Sequence, residues 1–574
     1  MSQKTIVAIL FIVMLAHQAL AQGNTQYPKG DFINPLDIPL KLAGNFGELR
    51  GNHFHSGFDF KTNGKEGLPV KAIADGYISR IKVSAYGYGN ALYITHKNGY
   101  VSVYGHLQQY DSIISHYIKK KQYELELFEV DLFPKKNELA VVQGQIIALS
   151  GNTGGSEGPH LHFEIRSELT EDIINPYYFG FEIEDSIPPS IEGVAIYPID
   201  ANAKINGSNK VMYYAVKKLD THQYTLSENI TLSGKIGFGI ITYDIENGGN
   251  NKNGTFSYNI KVDSNQLFSY VSDQFAFIQT RYINAHIDYS KFKKSNDKYQ
   301  RCYVLPGNKL KEYTTDNNKG VYDFNDTLNH KICIEVSDFE LNKSTFELNV
   351  KSLLSNNAIK EKKSNNYFPF NKVNQVTKDD FKIEFPTNCF YDDLEFKYLK
   401  TARTGNFLSD VHQVQDSETP VHNAYTLSIK PIAKALKFKD KLLIVSIDED
   451  GNPSSEGGAF ENGFVVTKIR SFGKFAVMID SVPPTAKLLA YDKKKSIFMQ
   501  NEISVKIGEN LSGIQNYSAT IDGNWVLMQH DNKEKKLTYF FDEKLVKANQ
   551  EHIFVLTIID KKGNAKKLSA KFIY

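Results

Sequence analysis

Pro159-His160-Leu161-His162-Phe163-Glu164 alternates strictly, with His160, His162 and Glu164 on one side and Leu161, Phe163 and Ile165 on the other. Residues i and i+2 share a face of a β-strand, so the segment predicts a strand whose apolar side enters a core and whose polar side carries two imidazoles and a carboxylate. Upstream stands His55-Ser56-Gly57-Phe58-Asp59, and between the two lies Tyr104-Gly105-His106-Leu107. A straight strand at ~3.3 Å per residue would hold the Cα atoms of His55 and Asp59 ~13 Å apart. Metal bonds of ~2.0–2.2 Å leave little slack for that distance. If the two residues act together, the chain bends at Ser56-Gly57, where glycine makes bending cheap.

One Asp and two or three neutral imidazoles form a donor set that zinc accepts, and a catalytic zinc keeps three protein ligands with a fourth position for water. His53, His55, His96, His106, His116, His160 and His162 all fall between residues 30 and 185. His222, His286, His330, His412, His422, His530 and His552 are scattered singly and read as solvated surface. His53 shares a face with His55 in an extended chain and is its rival as a ligand. His96, in the turn Thr95-His96-Lys97-Asn98-Gly99, reads as structural. Glu164 either hydrogen-bonds a site imidazole from behind or is a carboxylate at the surface or strand edge.

The stretch from about Gly44 to Pro176 resembles the lysostaphin/LytM-type zinc endopeptidases of bacterial cell walls. The resemblance extends to Gly87-Tyr88-Gly89-Asn90, Val142-Gln143-Gly144-Gln145 and Gly151-Asn152-Thr153-Gly154. It implies one zinc ion per chain, held by His55, Asp59 and His162, with His106 and His160 as a second pair near the metal. It also implies peptidoglycan stem peptides as substrate. No H-E-x-x-H motif occurs, so His106 and His160 stand in for the glutamate base and oxyanion donor of that other route. The family also includes members that lack ligands and serve as activators or scaffolds for other wall hydrolases, but all five positions are filled here. A third class, a wall-binding adhesive protein dominated by its other domains, is set against these two.

Between Leu107 and Val141 the chain carries about thirty residues more than expected, read as a decorated surface hairpin or as a flap beside the substrate groove. A chain of 574 residues is long enough for about four domains. The fold is expected to be mainly β: an antiparallel-sheet peptidase domain at 22–185 with its insertion at about 108–140, then sandwiches. The sandwiches are placed at 186–355 (one or two modules), 368–480 and 481–574, with a linker at 356–367 between the first two. Asp-led turns at Asp338, Asp448 and Asp560, with a partial version at Asp244, and proline pairs at Pro188-Pro189 and Pro483-Pro484 mark immunoglobulin-like sandwiches and their borders. Aromatics such as Tyr367-Phe368-Pro369-Phe370 are assigned to strand cores.

Residues 1–21 read as a secretory signal ending at Ala19-Leu20-Ala21, with neither a lipobox cysteine nor a later apolar span. Domain order and export together resemble cell-wall peptidases of the Bacteroidota and imply a periplasm. A net charge of +2 with interspersed signs argues against nucleic acid as a partner. Cys302, Cys333 and Cys389 are too few for a disulfide framework, although one bridge is compatible with an oxidising compartment.

Overall fold

The computed structural model describes residues 27–355, 364 and 366–574. The proposed signal and most of the 356–367 linker lie outside these residues. The described chain is mainly β.

Its N-terminal part is built on an antiparallel sheet. In chain order its elements are β1 (Leu42–Gly44), β2 (Phe58–Lys61), β3 (Pro69–Lys71), β4 (Gly76–Val83), β5 (Ala91–His96), β6 (Tyr100–Gly105), β7 (Gln109–Tyr110), α1 (Ser112–Leu125), β8 (Val130–Leu132), β9 (Ala140–Val141), β10 (Ile146–Leu149), β11 (His160–Ser167) and β12 (Ile173–Ile174). The main sheet runs β1-β2-β11-β6-β5-β4-β8, and β3, β10 and β7 form a second small sheet. Leu161, Phe163 and Ile165 of β11 are fully buried in the core beneath the main sheet, as the alternation requires.

The insertion departs from the hairpin expectation, because its centre is the helix α1. Asp111 caps it by accepting from the backbone N–H of Ile113 and Ile114, and Ile114, Ile118 and Gln122 line its buried face at helical spacing.

The core of this part does not end at residue 185. A strand at Gln274–Phe275 pairs with β12, and Phe275, Tyr282, Ile283, Ala285 and Ile287 join the same apolar cluster. Phe46 stacks on Phe275 at 4.9 Å between ring centroids.

A separate core running from Ile191 to Val350 serves the following region. Two five-stranded sheets then enclose a third core from Phe381 to Val477, in which Phe385 contacts Phe390, Phe396, Tyr425 and Phe472. Two four-stranded sheets enclose a fourth core from Ile503 to Phe572. The Asp-led turns form as expected: Asp338, Asp448 and Asp560 each accept, through Oδ1, the backbone N–H of the Asn four residues on.

The scattered histidines correct the surface reading. His286, His330, His412 and His552 are buried; His286, for example, is bonded to Tyr313 and Gln300. Polar partners offset the burial of His286, His330 and His552 at both nitrogens and of His412 at Nδ1 alone, and local sequence does not reveal such partners. All three cysteines are free thiols, and among the described residues no helix is long and apolar enough to cross a membrane.

Candidate metal centre

Strand register assembles the site. β2 and β11 pair antiparallel with Asp59 directly opposite His162, and on its other side His162 faces Gly105 of β6. His55 lies just before β2, where the chain bends at Gly57. The bend needs glycine for a reason beyond flexibility: a Cβ there would meet the carbonyl oxygen of Phe163 at 2.1 Å. β11 can lie against this turn only because the side chain is absent.

His55 Nε2, Asp59 Oδ1 and His162 Nδ1 converge. The separations are 3.0 Å from His55 to Asp59, 2.9 Å from His162 to Asp59 and 3.2 Å between the imidazoles. All three residues are buried. Such separations suit donors to one small ion with bonds of ~2.0–2.2 Å, and the His/Asp chemistry suits zinc.

The far nitrogen of each imidazole is tied down. His55 Nδ1 donates to the Asn45 carbonyl at 2.7 Å, and His162 Nε2 meets Glu164 Oε1 at 2.9 Å. These partners fix ring orientation and leave the opposite nitrogens for the centre. Glu164 is fully buried rather than at the surface. It also accepts from Ser56, Tyr88 and Arg166. Burial opposes its ionisation, but Arg166 and His162 outweigh it and hold the carboxyl below the usual range.

Burial likewise opposes ionisation of Asp59, yet His55, His160 and His162 hold it well below its ordinary value. Arg50 reaches its Oδ2 at 3.1 Å. Burial pulls the His162 imidazole down, but Asp59 and Glu164 raise it to about 9.

His106 and His160 stand beside this group, with ring centroids 4.8 Å apart. Each has Nδ1 committed to a backbone carbonyl at 2.8 Å, Thr153 for His106 and Gly158 for His160. Nδ1–H donation leaves Nε2 with its lone pair, the form that can take a proton. Burial, followed by the charges of His162 and His160, pushes His106 down to about 3, so it is neutral at physiological pH. His160 Nε2 lies 3.3 Å from Asp59 Oδ1.

His106 is perched by the two glycine motifs, which interlock. A Cβ on Gly154 would meet the Gly89 nitrogen at 2.3 Å, Asn90 N–H donates to Thr153 Oγ1, and the His106 N–H donates to the Tyr88 carbonyl. His106 itself takes a left-handed φ of 58°. Tyr88 stacks on His162 at 4.8 Å. Sequence reasoning passed over Tyr88, Thr153, Asn45 and Arg50 as individual site residues; only the first two had a signal, as members of the quoted motifs.

His53 falls outside the cluster. It is exposed and bonded to Asn52. His96 is buried in the β5–β6 hairpin, bonded to Ser102 and the Asp75 carbonyl.

The C-terminal sandwich folds back beside this part of the molecule. Lys119 of α1 pairs with Asp542 at 2.8 Å, Tyr123 of α1 meets Trp525 edge-on, and Lys533 bonds Asn152. Between them lies a cavity of about 880 Å³, lined by α1, Asn152–Gly154 and the C-terminal sheet but by none of the site histidines. It is one loop removed from the metal centre.

Residues 53–124 and 123–176 match Peptidase family M23, and residues 365–480 match a Zu5-like domain. The chain is 33% identical over 160 residues to the DD-carboxypeptidase/endopeptidase Mpg of Neisseria meningitidis serogroup B, covering 27% of this chain and 30% of that one. It is 33% identical over 149 residues to lysostaphin of Staphylococcus simulans, covering 26% and 23% of the two. Against the peptidoglycan DD-endopeptidase ShyB of Vibrio cholerae it is 35% identical over 111 residues, covering 19% and 20%. The chain spans less than a third of the length of these relatives.

Proposed function

Because the chain carries a peptidase family M23 domain of the LytM/lysostaphin type, we propose that it is an exported zinc metalloendopeptidase that hydrolyses peptide cross-links of peptidoglycan in cell-wall remodelling. The observation that carries the proposal is the convergence of His55 Nε2, Asp59 Oδ1 and His162 Nδ1, with two further imidazoles alongside. These three side chains would hold the metal. When bound, zinc supplies Lewis-acid polarisation of the scissile carbonyl and of the attacking water.

The chain's own groups do the rest. His106, held neutral, and His160, each anchored through Nδ1, offer Nε2 to the attacking water and the leaving group. Once protonated, the same atom donates to the leaving amine or the oxyanion. Glu164 and the Asn45 carbonyl keep the ligand imidazoles oriented, and Tyr88 covers one face of His162. One relative is named a DD-carboxypeptidase/endopeptidase and another a peptidoglycan DD-endopeptidase, which supports D,D cross-links between stem peptides as the substrate. The signal-like reading of residues 1–21 and the proposed substrate support a periplasmic setting.

Turnover of a soluble cross-linked muropeptide tests the reading. Replacing either His106 or His160 with Ala is expected to retain zinc and to lower kcat by roughly 10² to 10⁴, the usual scale of lost acid–base or oxyanion help. A zinc-loaded wild-type protein with no turnover on any muropeptide would favour the non-catalytic activator or scaffold instead.

A further inference from the structure

A second ion-ready cluster lies away from the histidines. Asp185, Asp244 and Asp338 come from three separate segments, yet each offers a carboxylate oxygen within 4.8 Å of the others. Asp185 precedes the first proline pair, where the chain leaves the M23 region. Asp244 follows the long strand Ile230–Tyr243, and Asp338 follows the strand Asn329–Ser337.

Within this cluster Asp244 is 5% exposed, and its Oδ1 has no hydrogen-bond donor. Asn253, paired with Asp244 across a β-bridge, is 2% exposed and also keeps Oδ1 without a donor. Among the described residues none of the three aspartates pairs with Lys, Arg or His. The further charges facing them are the carboxylates of Glu246 and Glu340. A buried carboxylate among like charges is costly, and either a proton or a cation must offset the charge.

A repeat of the arrangement provides a control within the molecule. Asp480, Glu509 and Asp560 form a similar group at the second proline pair. Asn342 Nδ2 donates to the Asp185 carbonyl as Asn564 Nδ2 donates to that of Asp480. Two of the three carboxylates have donors in both groups, with Asp185 accepting from Ile187 N–H and Asp338 from Asn342 N–H and Nδ2; the groups differ at the third, where Glu509 has donors and Asp244 Oδ1 has none. Asp480 accepts from Val482 and Ser512 N–H, Glu509 from Leu511 and Gly513 N–H, and Asp560 from Lys562 N–H, Asn564 N–H and Asn564 Nδ2. The Lys562 ammonium faces Asp480 and Asp560 as well.

We propose that Asp185, Asp244 and Asp338 bind one Ca²⁺ ion that clasps the M23 region to the sandwich following it. The donors are all oxygen, which selects a hard cation over zinc. Ligands ~2.3–2.6 Å from a shared Ca²⁺ lie no more than about 5 Å apart, as these oxygens do. Carboxylates from three segments suit the irregular coordination of Ca²⁺ better than the strict octahedron of Mg²⁺. Burial first, then Asp185 and Asp338, drives Asp244 up to about 9, the signature of a site short of positive charge.

The full-length, zinc-loaded chain, dialysed free of calcium, is titrated with CaCl₂ by calorimetry and melted with and without ~1 mM CaCl₂. The wild type is expected to bind Ca²⁺ with a Kd of ~10⁻⁴ M or tighter, the tighter end of extracellular modules, and to melt a few degrees higher with it. Asp244→Asn and Asp185→Asn should each weaken binding at least tenfold and erase the shift, while Glu509→Gln leaves both intact. Asp185 is only partly buried, so its variant remains informative if Asp244→Asn does not fold. Absence of heat and shift in the wild type would overturn the proposal, as would binding that survives both Asp variants or is lost in Glu509→Gln.

Discussion

Asp59 and Asp244 are both buried carboxylates set among charged neighbours, yet their acidities move in opposite directions. Burial penalises the charged form of each. At Asp59 the imidazoles of His55, His160 and His162 outweigh that penalty and hold the carboxyl well below its ordinary value. At Asp244 the neighbours are Asp185, Asp338 and Glu246, and the carboxyl rises to about 9. Burial alone therefore says little about what a carboxylate is for; the sign of the charges around it decides. The first cluster is a mixed nitrogen and oxygen set beside two further imidazoles anchored through Nδ1, fit for zinc and proton transfer. The second is an oxygen set at a module border, with no base beside it.

The sharpest separation of the two comes from Asp59→Ala. It removes one of three converging donors and leaves His55 and His162 without their shared carboxylate, so zinc content and muropeptide turnover should both fall to background. The calcium-dependent melting shift should persist. Metal analysis of the purified variant checks the first outcome, and a parallel melt checks the second. Loss of both would mean that the two clusters are not independent.

A smaller effect is expected one shell out. Glu164→Gln keeps the size of the side chain but removes the charge that orients His162 and balances Arg166. Replacing such an outer partner typically costs 10- to 100-fold in metal affinity or activity. A competition titration against a zinc chelator measures it, and an unchanged affinity would reduce Glu164 to a partner of Arg166 alone.

Acidity supplies the next test. Without metal, His162 is raised to about 9 by Asp59 and Glu164 acting against burial, so at neutral pH zinc must displace its proton. Affinity should climb by about tenfold per pH unit for that one proton and level off above pH 9. The same shift makes a linked prediction for the metal-free protein. A folded-state pKa raised above 6.5 contributes stability that is fully present below 6.5 and lost as pH rises through 9. Asp244, raised to about 9 by burial and its acidic neighbours, also has a proton to release to a cation, so Ca²⁺ affinity at the second cluster should likewise climb until about pH 9.

How much of this was legible in the sequence follows the range of the signal. The alternation of His160, His162 and Glu164 encodes a strand face directly, and a joint role for His55 and Asp59 requires a bend, so the candidates could be read; the choice among them came from the resemblance. The helix α1 had a local signal too, in the cap at Asp111 and the i, i+4 spacing of Ile114, Ile118 and Gln122, but a surface hairpin was the default for an insertion. The contribution of Gln274–Phe275 to the M23 core could not be read, because strand addition across a domain border leaves no local period. The acidic cluster was visible only as punctuation: a proline border and Asp-led turns, each explicable alone. Nothing in their separations announces that they meet.

The smallest expected effect is the one most sensitive to error in register. In an extended chain His53 would share a face with His55, and a shift of two residues at the bend would exchange them as ligands. The structure instead sets the His55 side chain inward, with Nδ1 on the Asn45 carbonyl, and leaves His53 exposed against Asn52. Phe54 between them is buried, in edge contact with His286 and bonded through its N–H to Thr280. That anchor is what pins the register, and it comes from the region beyond residue 185. His53→Ala should accordingly leave zinc stoichiometry and kcat within about twofold of wild type, the range of surface substitutions away from a site. Zinc loss in His53→Ala with zinc retained in His55→Ala would exchange the two ligands and undo the register on which the comparison with the carboxylate cluster stands.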